Sequence, residues 1–128
     1  MSGPAAVLDA SAVLAFLFDE SGAETTQEYI DRSVISTVNW TEVAQVCHAV
    51  GSDVAEIRIS LASAGLTFAP LELTDAEAAA ALREPTRSLG LSLADRCCLA
   101  LATRLGLPAV TANRKWTSAT EGQIILIR

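Results

Sequence analysis

At 128 residues, 51% apolar and only 5% aromatic, the chain is long enough to bury one core, built mainly from Ala, Leu, Val and Ile, and too short for several domains. It holds no apolar run that would cross a bilayer, and Met1-Ser2-Gly3-Pro4 has no basic leader segment, so a cytoplasmic protein with no membrane partner is expected. The net charge of −6 argues against indiscriminate binding of polyanions, but it is unevenly spread: residues 1–82 carry 12 acids and 2 bases, residues 83–128 carry 7 bases and 3 acids.

In chain order, an apolar strand is expected at 5–9, followed by a helix from Ser11 to about Phe18. Glu20-Ser21-Gly22 breaks that helix, and a second runs to about Ile30. Strand two is 33–36. A helix begins near Asn39 and stops at Gly51, and another occupies 53–64 and ends at Gly65. Strand three lies within 66–71, and Thr74 caps a helix through Leu82. Pro85 to Gly90 is a loop. Ser92 caps a long helix that ends near Leu105-Gly106, strand four is 108–112 and strand five is Gln123 to Ile127. Strands alternating with helices specify an α/β/α sandwich: a parallel central sheet, right-handed crossovers and helices on both faces.

Polar residues stand where these strands end. Asp9 follows strand one, Glu42 follows strand two, Asn113 follows strand four, and Asp95 opens the helix that feeds strand four. In a parallel sheet the carboxyl ends of the strands share one crevice, where ligands bind. Three carboxylates and an amide gathered there would form an oxygen-rich pocket suited to Mg²⁺ or Mn²⁺. A second reading competes for two of them. Asn39-Trp40-Thr41-Glu42 and Ser92-Leu93-Ala94-Asp95 both have the spacing of a helix-capping box, as does Thr74-Asp75-Ala76-Glu77. Topology separates the two readings. Strand one is the most apolar and is expected at the centre, which gathers Glu42 and Asp95 around Asp9, whereas Glu77 follows an edge strand. Ser11 would suffice to cap the first helix, leaving Asp9 free. The three cysteines, Cys47, Cys97 and Cys98, read as small apolar core residues, and a lone His48 without a Cys-x-x-Cys pair argues against zinc.

Four segments taken together resemble the PIN-domain family: Val7-Leu8-Asp9-Ala10-Ser11-Ala12-Val13-Leu14, Asn39-Trp40-Thr41-Glu42-Val43, Gly90-Leu91-Ser92-Leu93-Ala94-Asp95-Arg96, and Thr111-Ala112-Asn113-Arg114-Lys115-Trp116. Within it, the chain is most similar to the VapC-type toxins of toxin–antitoxin pairs. The resemblance implies strand order 3-2-1-4-5 and a metal-dependent endoribonuclease acting on structured RNA, present as a homodimer with a cognate antitoxin. Asp9, Glu42 and Asp95 match the family's acidic positions. Asn113 stands where an Asp is usual; its amide oxygen still ligates Mg²⁺ but brings no charge. Ser11 and Thr111 are placed either to hold a water at the site or to serve simply as cap and strand residues. The implied chemistry is hydrolysis assisted by one or two Mg²⁺ ions, with Arg87, Arg96 and Arg114 holding flanking phosphates or merely solvating helix faces. Trp116 is read as a base-stacking or, more commonly, a packing residue.

Two other functions compete. A phosphoacceptor receiver domain shares the size and fold class, but no acidic pair precedes the end of strand one, and Lys115 lies two residues past Asn113. A catalytically weakened PIN-like module that still binds RNA or an antitoxin is the stronger rival, because of Asn113.

Overall fold

The computed structural model describes residues 3–128, and the reading of Met1-Ser2 as leaderless lies outside them. Five parallel strands form one sheet: β1 (Ala6–Leu8), β2 (Ser33–Ser36), β3 (Leu66–Ala69), β4 (Ala109–Thr111) and β5 (Ile124–Leu126), in the order β3-β2-β1-β4-β5. This is the expected order, with β1 central and β3 at an edge. Six helices join the strands: α1 (Ala10–Phe18), α2 (Ala23–Tyr29), α3 (Thr37–Ala49), α4 (Val54–Ala64), α5 (Leu73–Ala81) and α6 (Leu93–Leu105). Short 3-10 turns cover Ile30–Arg32, Arg87–Leu89 and Arg114–Ser118.

The inner strands β2, β1 and β4 bury both faces, as parallel strands do, and their side chains alternate between two cores. Ala6, Leu8, Ile35 and Val110 face Val13, Val43, Cys47 and Leu61, the layer of α1, α3 and α4. Val7, Val34 and Ala109 face Cys98, Leu99, Leu101 and Trp116, the layer of α6 and the turn after β4. α5 packs on α6 instead of on the sheet, through Ala79 against Cys97 and Ala100. Bidentate pairing of Arg104 with the buried Asp75 reinforces this contact, at 2.6 and 3.1 Å. Gly65 ends α4 at φ +118°, and a Cβ there would strike the Asp31 backbone, so only glycine lets β3 begin beside the entry to β2.

Several helix starts differ from expectation. Asp9 itself caps α1, accepting from the Ala12 N–H, while the Ser11 hydroxyl turns back onto Asp9. α3 starts at Thr37 with Ser36 as its cap, so Asn39 lies inside the helix and the expected Asn39–Glu42 box does not form. α5 starts at Leu73, not Thr74; the Glu72 N–H donates to Asp75, and Glu77 is an exposed helical residue without a capping role. The Ser92–Asp95 box does form, in both directions.

Candidate active site

Asp9 sits at the carboxyl end of the central strand, where the chain turns from β1 into α1. Three donors converge on its carboxylate. Oδ1 accepts from Ser11 Oγ at 2.7 Å and from the Ala12 N–H at 2.9 Å, and Oδ2 accepts from Thr111 Oγ1 at 2.6 Å. Each hydroxyl is held in turn: Ser11 Oγ accepts from the Ala112 N–H and Thr111 Oγ1 from the Asn113 N–H. The adjacent β1 and β4 make this possible, since it takes both strand ends to surround one side chain.

With 5% of Asp9 exposed, burial pushes its pKa up from 3.8 to about 6. The hydrogen bonds from Thr111, Ser11 and Ala12 oppose that rise, and the negative charge of Asp95 adds to it. Glu42, half-buried on α3, is also raised, chiefly by burial; a hydrogen bond from Asn39 pulls the other way and Asp95 again adds to the rise. Asp95 is half-buried at the first turn of α6, its Oδ2 on the Ser92 N–H. Asn113 caps the turn after β4 by accepting from the Lys115 N–H at 3.0 Å.

These side chains share one open cleft of about 280 Å³, lined by Asp9, Ala10, Ser11, Glu42, Asp95, Ala112 and Asn113. All four expected ligand positions and Ser11 therefore meet in one place; Thr111 stands behind Asp9, fully buried. A larger hollow of about 800 Å³ between the C-terminal part of α6 and the segment leading into β5 contains none of these residues. Its one carboxylate is Glu121, so the cluster of carboxylates belongs to the smaller cleft.

The donors are all hard oxygens, and burial of carboxylates close enough to raise one another is a cost that a cation reverses. Among the described residues no three His, Cys, Asp or Glu form a ready-made metal cluster. The donor set fits Mg²⁺ or Mn²⁺ nonetheless, since Mg²⁺ keeps several waters and takes only one or two carboxylates directly. Asp9, Glu42 and Asp95 are the residues that would hold it, with Asn113 at the rim.

The arginines fare differently. Arg114 is exposed immediately beyond Asn113 and borders the cleft in sequence. Arg96 does not reach it: the side chain is 9% exposed and Nη1 donates to the Ala79 carbonyl on α5, so the expected phosphate contact is replaced by a helix–helix tie. Arg87 is exposed, pairs with Glu84 at 3.6 Å and is not part of the cleft lining. Trp116 is fully buried and is packing, not a base platform. Trp40 packs edge-on against Phe68, and His48 is exposed on α3.

Two residues near the site were read in the sequence as structural only, Cys98 as core and Asn39 as a helix cap. Cys98 lies fully buried under the carboxylates, its thiol pushed up by burial and then by the charges of Asp9, Asp95 and Glu42; its place one turn past Asp95 on α6 was the available signal. Asn39, read as a cap, donates to Glu42 and to the Ala94 carbonyl.

Solved structures share this fold over nearly their whole length. A toxin–antitoxin complex from Klebsiella pneumoniae matches at TM-score 0.81 and 21% identity, covering 97% of this chain and 98% of that one. DNA-bound VapBC from Salmonella typhimurium matches at 0.71 and 17%, covering 98% and 99%. VapC20 of Mycobacterium tuberculosis, a toxin that cleaves the sarcin–ricin loop, matches at 0.72 and 12%, covering 90% and 95%. At these identities the likeness is one of fold. No curated protein sequence matches the chain. The profile of the PIN domain matches residues 6–121, the span that carries β1, β4 and every residue of the cleft, and the chain belongs to the PIN-domain family.

Proposed function

We propose that this single domain is a Mg²⁺- or Mn²⁺-dependent endoribonuclease, the toxin of a toxin–antitoxin pair, cleaving phosphodiester bonds in structured RNA. The observation that carries the reading is the convergence of Asp9, Glu42, Asp95 and Asn113 on one cleft, with three donors holding the Asp9 carboxyl group. The VapC-like fold and the RNA-cleaving neighbour support it. A cognate antitoxin and a homodimer belong to the same reading, as do cytoplasmic residence and a phosphate contact by Arg114. No described helix is long and apolar enough to cross a membrane.

A bound divalent cation supplies charge neutralisation at the scissile phosphate and lowers the pKa of a water. The protein's own part is orientation. Ser11, Ala12 and Thr111 hold the Asp9 carboxylate in one rotamer and favour its charged form. The Ser92 box fixes Asp95 at the start of α6. Glu42 faces the cleft from α3, with the Asn39 amide donating to its carboxylate.

One observation favours a rival. The Asn113 oxygen is already engaged by Lys115 N–H and brings no charge, which fits a module that binds RNA or an antitoxin without cutting. Incubating antitoxin-free protein with total RNA, with Mg²⁺ or Mn²⁺ and then with EDTA, decides between them. Discrete, metal-dependent fragments that vanish in Asp9→Ala support the nuclease; RNA retained but uncut supports the binding module.

A further inference from the structure

We propose that Asn39 is a positioning residue: one buried amide ties the helix bearing Glu42 to the helix bearing Asp95 and thereby sets the spacing of the two carboxylates across the cleft. The inference rests on the reading of that cleft as a divalent-cation site.

Asn39 is 1% exposed and lies one turn before Glu42 on α3. Its Nδ2 donates to Glu42 Oε1 at 3.3 Å and to the Ala94 carbonyl at 3.1 Å. Ala94 immediately precedes Asp95 in the first turn of α6. An amide group has two protons to donate, and both are spent, one on each side of the cleft wall. The two helices otherwise meet near this point through apolar contact, such as Val38 against Cys97 and Ala100, which can slide without penalty in a way that a bridging amide cannot.

The orientation of the amide is not interchangeable. Turned over, its oxygen would face a carboxylate and a carbonyl. In the orientation observed, Oδ1 is buried with no partner among the described residues. A buried, unpartnered oxygen is a cost that a leucine of the same branched shape would avoid. Packing therefore does not explain an amide here. The pair of acceptors does, because only a two-proton donor can hold Glu42 and the start of α6 at once.

The test is Mn²⁺ titration of wild type, Asn39→Leu, and Asn39→Leu combined with Glu42→Gln. The leucine variant should melt in EDTA no lower than wild type, since the orphan oxygen is gone, yet bind Mn²⁺ about tenfold or more weaker, the scale of outer-sphere losses at metal sites. Its effect should shrink in the Glu42→Gln background, where half of the tie is already altered. A folded Asn39→Leu that binds Mn²⁺ like wild type overturns the proposal while leaving the metal site intact. A wild type that binds no Mn²⁺ overturns the metal reading and this inference with it. If the leucine variant does not fold, wild type still decides: the Asn39 side-chain NH₂ resonances should shift with Mg²⁺ in step with saturation, and resonances that stay fixed overturn the proposal.

Discussion

Thr111 donates its hydroxyl proton to Asp9 across 102 positions of sequence, at 2.6 Å, with both residues buried. The same hydroxyl oxygen accepts the Asn113 N–H, so a single side chain couples the central carboxylate to the backbone of the fourth ligand position. Thr111→Val keeps the shape and removes both bonds. We expect metal-free stability at pH 7 to fall by about 1–3 kcal/mol, the usual cost of stranding a buried charged partner. Mn²⁺ affinity should fall more at pH 6 than at pH 8, because Asp9 loses a bond that favours its charged form. Thr111→Ser should retain most of both. Urea melts in EDTA and Mn²⁺ titrations at the two pH values read this out, and a valine variant indistinguishable from wild type would refute it.

The pH dependence of stability follows from Asp9. Its carboxyl titrates near 6 in the folded protein and near 3.8 when unfolded. Between those values the native state holds a proton that the unfolded state has lost. The associated stability is fully present below the unfolded value and disappears as pH rises through about 6. Two pKa units correspond to about 3 kcal/mol. Glu42, also raised, acts in the same direction. Asp75, held low by hydrogen bonding to Arg104, acts in the opposite sense and below the ordinary aspartate range. Metal-free protein should therefore lose stability from about pH 4 to pH 7. Asp9→Asn should flatten most of that slope, and saturating Mn²⁺ should reverse it; denaturation curves across the range, in EDTA and in Mn²⁺, provide the check.

Glu42 and Glu77 are a matched pair of helix carboxylates, one in the cleft and one exposed on α5. Each Glu→Gln change should alter metal-free stability by no more than about 1 kcal/mol. Only Glu42→Gln should weaken Mn²⁺ binding, measured by calorimetry. Equal losses in the two variants would mean that the cleft is not where Mn²⁺ sits.

Asn113→Asp adds a fourth carboxyl at the rim while leaving an oxygen for the Lys115 N–H. In EDTA the variant should be equally or less stable, since the new charge joins Asp9, Glu42 and Asp95 in one cleft. In Mn²⁺ it should gain more than wild type, because tighter binding to the native state shifts unfolding by mass action. Thermal melts over a metal series report the difference, and identical metal dependence would place residue 113 outside the ligand set.

Arg104 offers a control away from the cleft. Arg104→Met leaves Asp75, 2% exposed, without its partner. Because the arginine is itself about one-third exposed, the loss of stability should be moderate. Mn²⁺ affinity should not change. A loss of metal binding together with stability would show that the α5–α6 contact is transmitted to the site.

The full strand order was an implication of the resemblance to the PIN-domain family, whereas the central place of β1 and the four cleft positions were legible from period and topology: short apolar runs ended by a polar residue, in a parallel sheet whose carboxyl ends share one side. Helix starts were less legible. Asn39–Glu42 and Thr74–Glu77 have box spacing, yet Ser36 and Glu72 lie closer to the preceding strand ends and start the helices earlier. Arg96 follows Asp95 in sequence, but neighbours on a helix diverge by about 100°, so it points to α5; that geometry was available and outweighs adjacency. The Asn39 bridge was not legible at all, since its second acceptor belongs to residue 94 and depends on how α6 meets α3.

The placement of β1 has a consequence for timing. Val7 pairs with Ala109 and Leu8 with Val110, so the innermost strand gains its second neighbour only after about a hundred intervening residues exist. Loop closure over that distance comes late and makes folding slow relative to local helix formation. A nascent chain carries Asp9, Glu42 and Asp95 together once residue 95 has been made, but the strand that brings Thr111 to Asp9 is then still missing. On the nuclease reading proposed above, hydrolytic capacity should therefore appear abruptly with the insertion of β4 and not accumulate while the earlier residues are being made.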